Sequence, residues 1–522
     1  MSPAAPSPDP AASSPDSAAP SPDPAASSPD PAAPRFRVRP PANWINDPNG
    51  PFRWRGRHHL FYQHNPEAPR HANVHWGHAS SPDLVRWEHH PIALTPTPGG
   101  PDEAGCWSGC VVDDDGVPTA VYTGVDRHHT GLGTICLARA ADPDDDALTD
   151  WKPLPTPVVT GPPPGLDVVM FRDPFVFRCA GRRWALVGAG HADGTPSVLL
   201  YDCEDLTDWR FAGVLLDGAD PVATAALGDK ATGWECPQLY ATAGGDWVLV
   251  VSLWDGDPRA TAYLTGRLRP GDGGDPRFEP RTGGRLDHGR DFYAPAVLQE
   301  ADRALMWGWS WEARAPREVE RAGWAGVLTA PRVVDVHADG ALRVVPAPEL
   351  DLLRAAEPFV TAPGRAPLPG RAPLPGRAPL PGQDPLHGRA PLPVRCPLPE
   401  AYDLTVTARG LTTVSLLRSA SGAELTVRLD PDAGTVTLDR GGWPRAGGWG
   451  PAGREGAEPI VVRAPGREVR VLVDGSLVEL FVDDRATVTE RVYRRPDDVR
   501  ELVVTGSPAA VTGWEQALPT PG

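Results

Sequence analysis

Short apolar runs of strand length follow one another from about residue 36 to residue 350 of the chain. Gly, Pro, Asp and Asn separate these runs, and stretches with a helical period are scarce. About 315 residues of this kind without alternating helices predict an all-β domain, either a propeller or a large sandwich. Clear examples of the runs are His59-Leu-Phe-Tyr-Gln63, Thr119-Ala-Val-Tyr-Thr123, Trp184-Ala-Leu-Val187 and Trp247-Val-Leu-Val-Val-Ser252.

Later in the chain, apolar and polar residues alternate with a period close to two. This alternation predicts a compact antiparallel β-sandwich, because successive side chains of a strand point to opposite faces. The segments that show it are Tyr402-Asp-Leu-Thr-Val-Thr-Ala408, Glu424-Leu-Thr-Val-Arg-Leu429, Val469-Arg-Val-Leu-Val473 and Val478-Glu-Leu-Phe-Val482.

Two low-complexity segments divide the chain. The unit Ser-Pro-Asp-Pro-Ala-Ala-Ser-Ser-Pro-Asp occurs twice near the N-terminus, and residues 363–399 repeat Pro-Leu-Pro-Gly-Arg-Ala. The first composition predicts disorder and the second a semi-rigid linker or surface insertion. We therefore predict a disordered tail over 1–34, a large β domain over 35–350, a linker over 351–400 and a β-sandwich over 401–522.

Composition narrows the class of protein. The formal net charge of the 522 residues is -17 and no dense basic block is present, which argues against nucleic acid or an anionic membrane as a partner. The 18 Trp residues suit stacking on sugars, although most of them are better explained as core. The N-terminus lacks a basic start and an apolar run, and the seven Cys are scattered. Both features predict a cytoplasmic protein with reduced thiols.

Metal and cofactor motifs are weak. Cys106 and Cys110 have a spacing seen in zinc sites, but no second Cys or His pair follows at a matching distance. His71, His75 and His78 would share a face only on a helix, which the strand-rich context makes improbable. Gly-rich stretches lack a strand-to-helix phosphate cradle. We predict no metal and no cofactor.

Three carboxylate motifs carry the candidate chemistry. They are Asn43-Trp-Ile-Asn-Asp-Pro-Asn-Gly50, Phe171-Arg-Asp-Pro174 and Trp234-Glu-Cys-Pro237. Each places an acid within two residues of a proline, which restricts the local backbone. Cleavage of a glycosidic bond needs two such acids, and a third can bind the sugar.

Each acid has a chemical and a structural interpretation. Asp47 is short and rigidly presented, as a nucleophile should be, but its motif is also ordinary turn chemistry. Glu235 has apolar sequence neighbours that suit a general acid, or it ends a strand at the surface. Arg172 beside Asp173 either keeps that acid ionised for sugar hydroxyls or forms a structural ion pair.

Taken together, the ordered motifs resemble glycoside hydrolase family 32, the invertases, levanases and inulinases. The resemblance runs from about residue 36 to 515, without the proline repeat. Further matches are Phe61-Tyr-Gln63, Asn65-Pro66, His75-Trp-Gly-His78, Ser81-Pro-Asp-Leu-Val-Arg-Trp87, Trp107-Ser-Gly109, Phe292-Tyr-Ala294 and Leu472-Val-Asp-Gly-Ser-Leu-Val-Glu-Leu-Phe-Val482.

The resemblance implies a five-bladed β-propeller over 35–350 with a C-terminal β-sandwich. It implies Asp47 as nucleophile, Glu235 as acid/base and Asp173 as stabiliser of the transition state. It further implies a set of substrate-binding positions: Asn46, Gln63, Trp107, Ser108, Arg172, Tyr293 and Trp309. In this set, Trp311 is an alternative to Trp309.

The resemblance also implies a substrate class. We expect a retaining enzyme that releases terminal β-D-fructofuranosyl units, with sucrose as the first candidate. Fructans, sucrose 6-phosphate and fructosyl transfer remain alternatives, as does a catalytically silent sugar-binding protein. One departure is His71, where members of the family often carry Trp, and we expect it to alter the pocket.

Overall fold

The computed structural model of the protein describes six stretches of chain: 30–127, 131–227, 231–271, 274–362, 393–443 and 458–519. Residues 1–29 of the predicted tail and residues 363–392 of the proline repeat lie outside them. The described part contains 34 strands, two short α-helices and one 3-10 helix, so the prediction of an all-β protein is confirmed. None of its helices is long and apolar enough to cross a membrane.

Five sheets follow one another in the first lobe, the region from 43 to 346. Adjacent strands along the chain pair antiparallel, as the short turns between them require. Sheet 1 contains β1 (Asn43–Trp54), β2 (Arg57–Asn65), β3 (His75–Ser81) and β4 (Glu88–Leu94). Sheet 2 contains β5 (Gly105–Asp114), β6 (Val117–Val125), β7 (Thr134–Ala140) and β8 (Trp151–Pro153).

Sheets 3 and 4 repeat this up-and-down order. Sheet 3 contains β9 (Val168–Cys179), β10 (Arg182–His191), β11 (Pro196–Asp205) and β12 (Asp208–Asp217). Helix α1 (Pro221–Leu227) leads to sheet 4, which contains β13 (Gly233–Ala241), β14 (Trp247–Trp254), β15 (Pro258–Pro270) and β16 (Pro276–Arg285).

Sheet 5 is the last sheet of the first lobe and contacts sheet 1, the first one. It contains β17 (Tyr293–Gln299), β18 (Ala304–Ser310), β20 (Val327–Leu328), β21 (Arg332–Val336) and β22 (Leu342–Pro346). After helix α2 (Pro316–Ala322), the two-residue strand β19 (Trp324–Ala325) pairs in parallel with β1. The first strands of the five sheets contact one another in sequence, and β17 contacts β1 again. The five first strands therefore form a closed ring.

Each first strand carries an irregularity at the same height of the ring. The register shifts lie at Ile45/Pro48 in β1, Trp107/Gly109 in β5, Arg172/Phe175 in β9, Glu235/Gln238 in β13 and Tyr293/Ala296 in β17. Proline has no N–H for the ladder, so strand prolines favour such bulges. Pro48, Pro174, Pro237 and Pro295 all fall within them. The bulges turn extra side chains toward the axis of the ring.

Two six-stranded sheets form the second lobe. The first contains β23 (Val360–Ala362), β34 (Ala509–Glu515), β25 (Ala401–Ala408), β30 (Glu468–Asp474), β31 (Leu477–Val482) and β32 (Ala486–Arg491). The second contains β24 (Val394–Pro397), β33 (Glu501–Gly506), β26 (Thr412–Arg418), β27 (Glu424–Asp430), β28 (Thr435–Asp439) and β29 (Ile460–Arg463). One apolar core, including Leu404, Val427 and Val471, lies between the two sheets.

Parts of the predicted tail and linker belong to the folded body. Asp30 accepts hydrogen bonds from Arg314 (3.0 Å) and Trp324 (2.9 Å) through Oδ2. The carbonyl of Ala32 accepts one from the hydroxyl of Ser476 at 2.7 Å. A 3-10 helix (Pro348–Leu353) precedes the strands β23 and β24, which flank the proline repeat and extend both sheets of the second lobe.

Buried ion pairs join the two lobes. Arg332 at the start of β21 is fully buried and contacts Asp287 at 2.8 Å and Glu479 of β31 at 3.2 Å. Its second amino group donates to the hydroxyl of Thr489 at 2.6 Å. Because charges at such depth need partners, these contacts fix how the second lobe sits on sheet 5.

Candidate active site

The bulges of the first strands surround a cavity of about 410 Å³. The structure brings all ten predicted site residues together there. Ser108 lies behind the wall, where it binds Asp47. The other nine line the cavity: Asn46, Asp47, Gln63, Trp107, Arg172, Asp173, Glu235, Tyr293 and Trp309. Trp311, the alternative to Trp309, does not line it.

Asp47 accepts hydrogen bonds from four side chains, three of them with N–H or O–H donors and the fourth the thiol of Cys236. Its Oδ2 accepts hydrogen bonds from Ser108 Oγ (2.6 Å) and Gln63 Nε2 (3.2 Å), while Oδ1 accepts one from Asn46 Nδ2 (3.1 Å). Burial raises the pKa of Asp47 to about 6, the hydrogen bond from Ser108 opposes this rise, and the charge of Glu235 adds to it. The carboxylate is thus fixed in direction and costly to keep ionised, two properties of a reactive group.

Asp173 occupies an unusual backbone position. Its φ of 64° lies in the left-handed region, which non-glycine residues adopt mainly where the surrounding structure enforces it. Thr123 Oγ1 accepts a hydrogen bond from its N–H at 2.8 Å, and Cys236 N donates to its Oδ2 at 3.0 Å. Burial, followed by the charge of Glu235, raises the pKa of Asp173. This bulge is what points Asp173 into the cavity beside Arg172.

Glu235 is bound at both carboxylate oxygens. Arg172 reaches Oε1 with Nε at 2.9 Å and Nη2 at 2.8 Å. Tyr293 donates its hydroxyl to Oε2 at 2.6 Å. The sequence neighbours of Glu235 predict apolar surroundings, and this prediction is wrong at the carboxylate. Strands β9 and β17 bring the polar groups of Arg172 and Tyr293 to it.

The partner of Arg172 also differs from the prediction. The sequence pairs Arg172 with the adjacent Asp173, but its ion pair is with Glu235. Its guanidinium lies near the rings of Trp107 (5.7 Å to the centroid) and Trp254 (5.2 Å). Two indole faces and one carboxylate thus hold the arginine in a fixed plane.

Several residues of the cavity were not predicted from the sequence. Trp254 and Asp257 lie at the end of β14 and in the following turn, while Val169 and Met170 begin β9. Cys236 stands between two acids, with Sγ 3.6 Å from Asp47 Oδ2 and 3.5 Å from Asp173 Oδ2. In the sequence, these residues are marked only by their position close to an acid motif or at the end of an apolar run.

His71 lines the cavity as well. Its ring meets Trp44 edge-on at a centroid distance of 6.2 Å and Trp107 at 5.9 Å. Burial lowers the pKa of His71, while the charge of Glu235 acts in the opposite direction. His71, the residue at which the sequence departs from the family pattern, therefore lies inside the pocket.

The weak metal motifs do not come together. Cys106 donates its thiol to Asp102 at 3.5 Å, whereas Cys110 accepts a hydrogen bond from Val176 N at 3.3 Å. His78 is buried against His59, away from His71. Among the residues that the structure describes, no group of three or more His, Cys, Asp or Glu is arranged to hold a metal ion.

A convergent set of carboxylates in one cavity fits a carbohydrate-active protein, because cleavage of a glycosidic bond needs two such acids. Comparison with protein families agrees with this class. The model of the glycosyl hydrolases family 32 N-terminal domain matches residues 38–346, and that of the family's C-terminal domain matches residues 399–514. The chain belongs to glycosyl hydrolase family 32.

Curated relatives carry several activities. The chain is 35% identical over 344 residues to the sucrose-6-phosphate hydrolase of Escherichia coli, which covers 62% of this chain and 66% of that protein. It is 33% identical to a cell-wall β-fructofuranosidase of Zea mays, covering 57% and 52% of the two chains. The matches span less than two thirds of the bacterial relatives' own length, 64–66%.

Solved structures share the fold across both lobes. The family 32 β-fructofuranosidase of Bombyx mori superposes with a TM-score of 0.71 at 22% identity, over 94% of this chain and 95% of that one. Fructan 1-exohydrolase IIa of Cichorium intybus superposes with a TM-score of 0.72 at 22% identity, over 94% and 98%. These likenesses show a common architecture.

Proposed function

We propose that the protein is a retaining glycoside hydrolase that releases terminal β-D-fructofuranosyl units, with sucrose as its substrate. The observation that carries this proposal is the convergence of Asp47, Asp173 and Glu235 from three different strands on one cavity. Membership of family 32 and relatives named β-fructofuranosidase and raffinose invertase support it.

The proposed reaction has two balanced steps. The first step starts with Glu235 protonated, so that its contact with Arg172 is then a hydrogen bond and not an ion pair. The carboxylate of Asp47 attacks C2 of the fructosyl unit, and the bond from C2 to the bridging oxygen breaks as Glu235 gives that oxygen its proton. In the second, Glu235 takes a proton from water as the water oxygen bonds to C2, and the bond between C2 and Asp47 breaks, which releases fructose. Asp47 is then ionised and Glu235 protonated again, ready for the next cycle.

The surrounding residues have supporting roles in this proposal. Ser108 and Gln63 orient the carboxylate of Asp47, and Asp173 accepts hydrogen bonds from fructose hydroxyls. Asn46 offers a further polar contact, while Trp107 and Trp309 present flat apolar faces to the sugar ring. Arg172 and Tyr293 set the direction of Glu235. Preorganised groups of this kind lower the barrier because they do not rearrange during the reaction.

We also propose that the first lobe is a five-bladed β-propeller and the second a β-sandwich. The closed ring of first strands supports five blades, and the apolar core between the two six-stranded sheets supports the sandwich. The division into 35–350, 351–400 and 401–522, the role of 1–34 as a disordered tail, and a cytoplasmic location stay predictions.

The test is product release from sucrose by the wild type and Asp47→Asn. The matched control is Asp208→Asn, which makes the same change on an exposed residue at the start of β12. We expect equimolar glucose and fructose from wild type and Asp208→Asn, and a loss of several orders of magnitude in Asp47→Asn. Circular dichroism checks that each variant is folded.

Other outcomes separate the alternatives. Excess glucose over fructose at high sucrose would mean fructosyl transfer, because a sugar hydroxyl then intercepts the fructosyl-enzyme. Turnover of sucrose 6-phosphate alone would place the protein with its bacterial relatives of that name. Activity on levan or inulin alone would indicate a fructan exohydrolase. No turnover of any of these substrates would overturn the proposal in favour of a sugar-binding protein.

A further inference from the structure

A second, larger cavity of about 800 Å³ lies where residues 30–41 pass between sheet 1 and the second lobe. We call it the arginine pocket, after the five arginines that line it: Arg35, Arg37, Arg39, Arg86 and Arg494. Its carboxylates are Asp30 and Glu400, and its rings are Phe36, Trp87 and His89. In a chain of formal net charge -17, this excess of positive groups is a local exception.

Three of the five guanidinium groups already have a carboxylate nearby. The pairs are Arg37 with Glu479 (3.1 Å), Arg86 with Asp83 (2.7 Å) and Arg35 with Glu400 (3.7 Å). Asp30 is engaged as well, because its Oδ2 accepts hydrogen bonds from Arg314 and Trp324. The acidic groups of the pocket are therefore already in use.

Arg39 and Arg494 differ from the other three. No carboxylate of the described residues lies within ion-pair distance of either guanidinium. Arg39 donates to the carbonyls of Pro40 (3.0 Å) and Pro34 (3.4 Å), and Arg494 donates to the carbonyl of Pro31 (3.2 Å). Carbonyl oxygens satisfy the N–H groups but carry no net charge, so neither guanidinium has an ion-pair partner among the described residues.

Burial and neighbouring cations make these two charges costly. Burial lowers the pKa of Arg39; the charge of Asp30 opposes this shift and that of Arg491 adds to it. Burial and the charge of Arg500 lower the pKa of Arg494, while Glu400 acts in the opposite direction. Nε of Arg494 is buried without a hydrogen-bond partner. Since guanidinium stays protonated in proteins, an anion bound in the cavity that both residues line relieves this cost.

We propose that the arginine pocket binds a small anion, carrying phosphate or carboxylate groups, at Arg39 and Arg494. The planar donor fork of arginine matches both kinds of group. The volume suits a ligand of sugar-phosphate size, and Phe36 and Trp87 offer apolar surface for its uncharged part. The pocket shares no lining residue with the candidate active site.

The experiment is calorimetric titration of the full chain with inorganic phosphate, pyrophosphate and citrate, against sodium chloride of equal ionic strength. Arg494→Gln removes one proposed ligand. Arg495→Gln makes the same charge change at an exposed neighbour that does not line the pocket. We expect saturable binding to wild type and Arg495→Gln, and roughly tenfold weaker binding to Arg494→Gln, since a charge-assisted hydrogen bond is lost.

Arg39→Gln is the second variant, and we expect a similar loss. Arg39 also packs 4.8 Å from the ring centroid of Trp324, so thermal unfolding checks that the Arg39→Gln variant is folded. If that variant does not fold, the comparison of Arg494→Gln with wild type decides the test. Binding of phosphate without citrate assigns the site to phosphate compounds, and the reverse assigns it to carboxylates. No saturable binding at millimolar concentrations, or equal binding by Arg494→Gln and wild type, overturns the proposal.

Discussion

Arg172 and Glu235, which are 63 positions apart, form a two-pronged ion pair inside the cavity, with Nε and Nη2 of the arginine 2.9 and 2.8 Å from the same Oε1. The hydroxyl of Tyr293 holds the other carboxylate oxygen. Glu235 is therefore oriented before any substrate enters, which is how a catalytic group avoids the cost of being positioned during the reaction.

Replacing Arg172 by lysine tests this orientation. Lysine keeps the charge, but an ammonium group lacks the planar pair of donors that reach Oε1 of Glu235 and the flat group that lies near the rings of Trp107 and Trp254. We expect kcat/KM for sucrose to fall roughly 100-fold, because misplacing a catalytic group costs about that much. The control is Arg269→Lys, in an exposed ion pair with Glu279. Equal activity of the two variants would contradict a positioning role.

The acidic limb of the pH–rate profile should report Asp47. The proposed nucleophile must be ionised, and its pKa is raised to about 6, so kcat/KM should fall as the pH drops below that value. The hydrogen bond from Ser108 favours the ionised form, so Ser108→Ala should move the limb to higher pH. Ser197→Ala, at a buried serine that contacts His191, should leave it in place. A limb that stays or moves down in Ser108→Ala would refute the assignment.

Much of the fold was predictable from local sequence. The apolar runs bounded by Gly, Pro and Asp predicted strands such as β6, β10 and β14, and the period of two predicted the strands of the second lobe. This succeeds because strand patterning depends on which face a residue buries. The pairing of β19 with β1 was not predictable, since a two-residue strand has no pattern and depends on closure of the ring.

The site was predictable in its membership but not in its contacts. The three motifs with an acid within two residues of a proline, taken in order, resemble family 32, and that resemblance pointed to Asp47, Asp173 and Glu235. Sequence adjacency suggested that Arg172 pairs with Asp173, yet the positive φ of Asp173 turns the two side chains to different partners. Trp254 was missed because its place beside Arg172 depends on how sheets 3 and 4 pack, which no local pattern encodes.

Asp47→Asn should change stability in a pH-dependent way. The shift of its pKa from 3.8 to about 6 corresponds to about 3 kcal/mol. Between those two values the folded wild type binds more protons than the unfolded chain, so its free energy of unfolding falls as the pH rises. The variant lacks this term, so its stability relative to wild type should increase from pH 4 to pH 6 and then level off.

Denaturant unfolding of both proteins at a series of pH values measures this difference. Asp208→Asn, at an exposed aspartate, should track the wild type throughout. A constant difference between Asp47→Asn and wild type across the range would show that burial of Asp47 carries no such cost.

Arg332→Met should destabilise the joint between the lobes. The guanidinium is fully buried between Asp287 and Glu479, and methionine fills similar space without a charge. Asp287 would then lose its ion-pair partner in the interior, while Glu479 would keep Arg37. Breaking a buried pair costs about 3–5 kcal/mol. The exposed pair of Arg428 and Asp430 is the control, and Arg428→Met should change stability by less than about 1 kcal/mol. Equal unfolding free energies for the two variants would mean that the buried network contributes nothing to holding the second lobe on sheet 5.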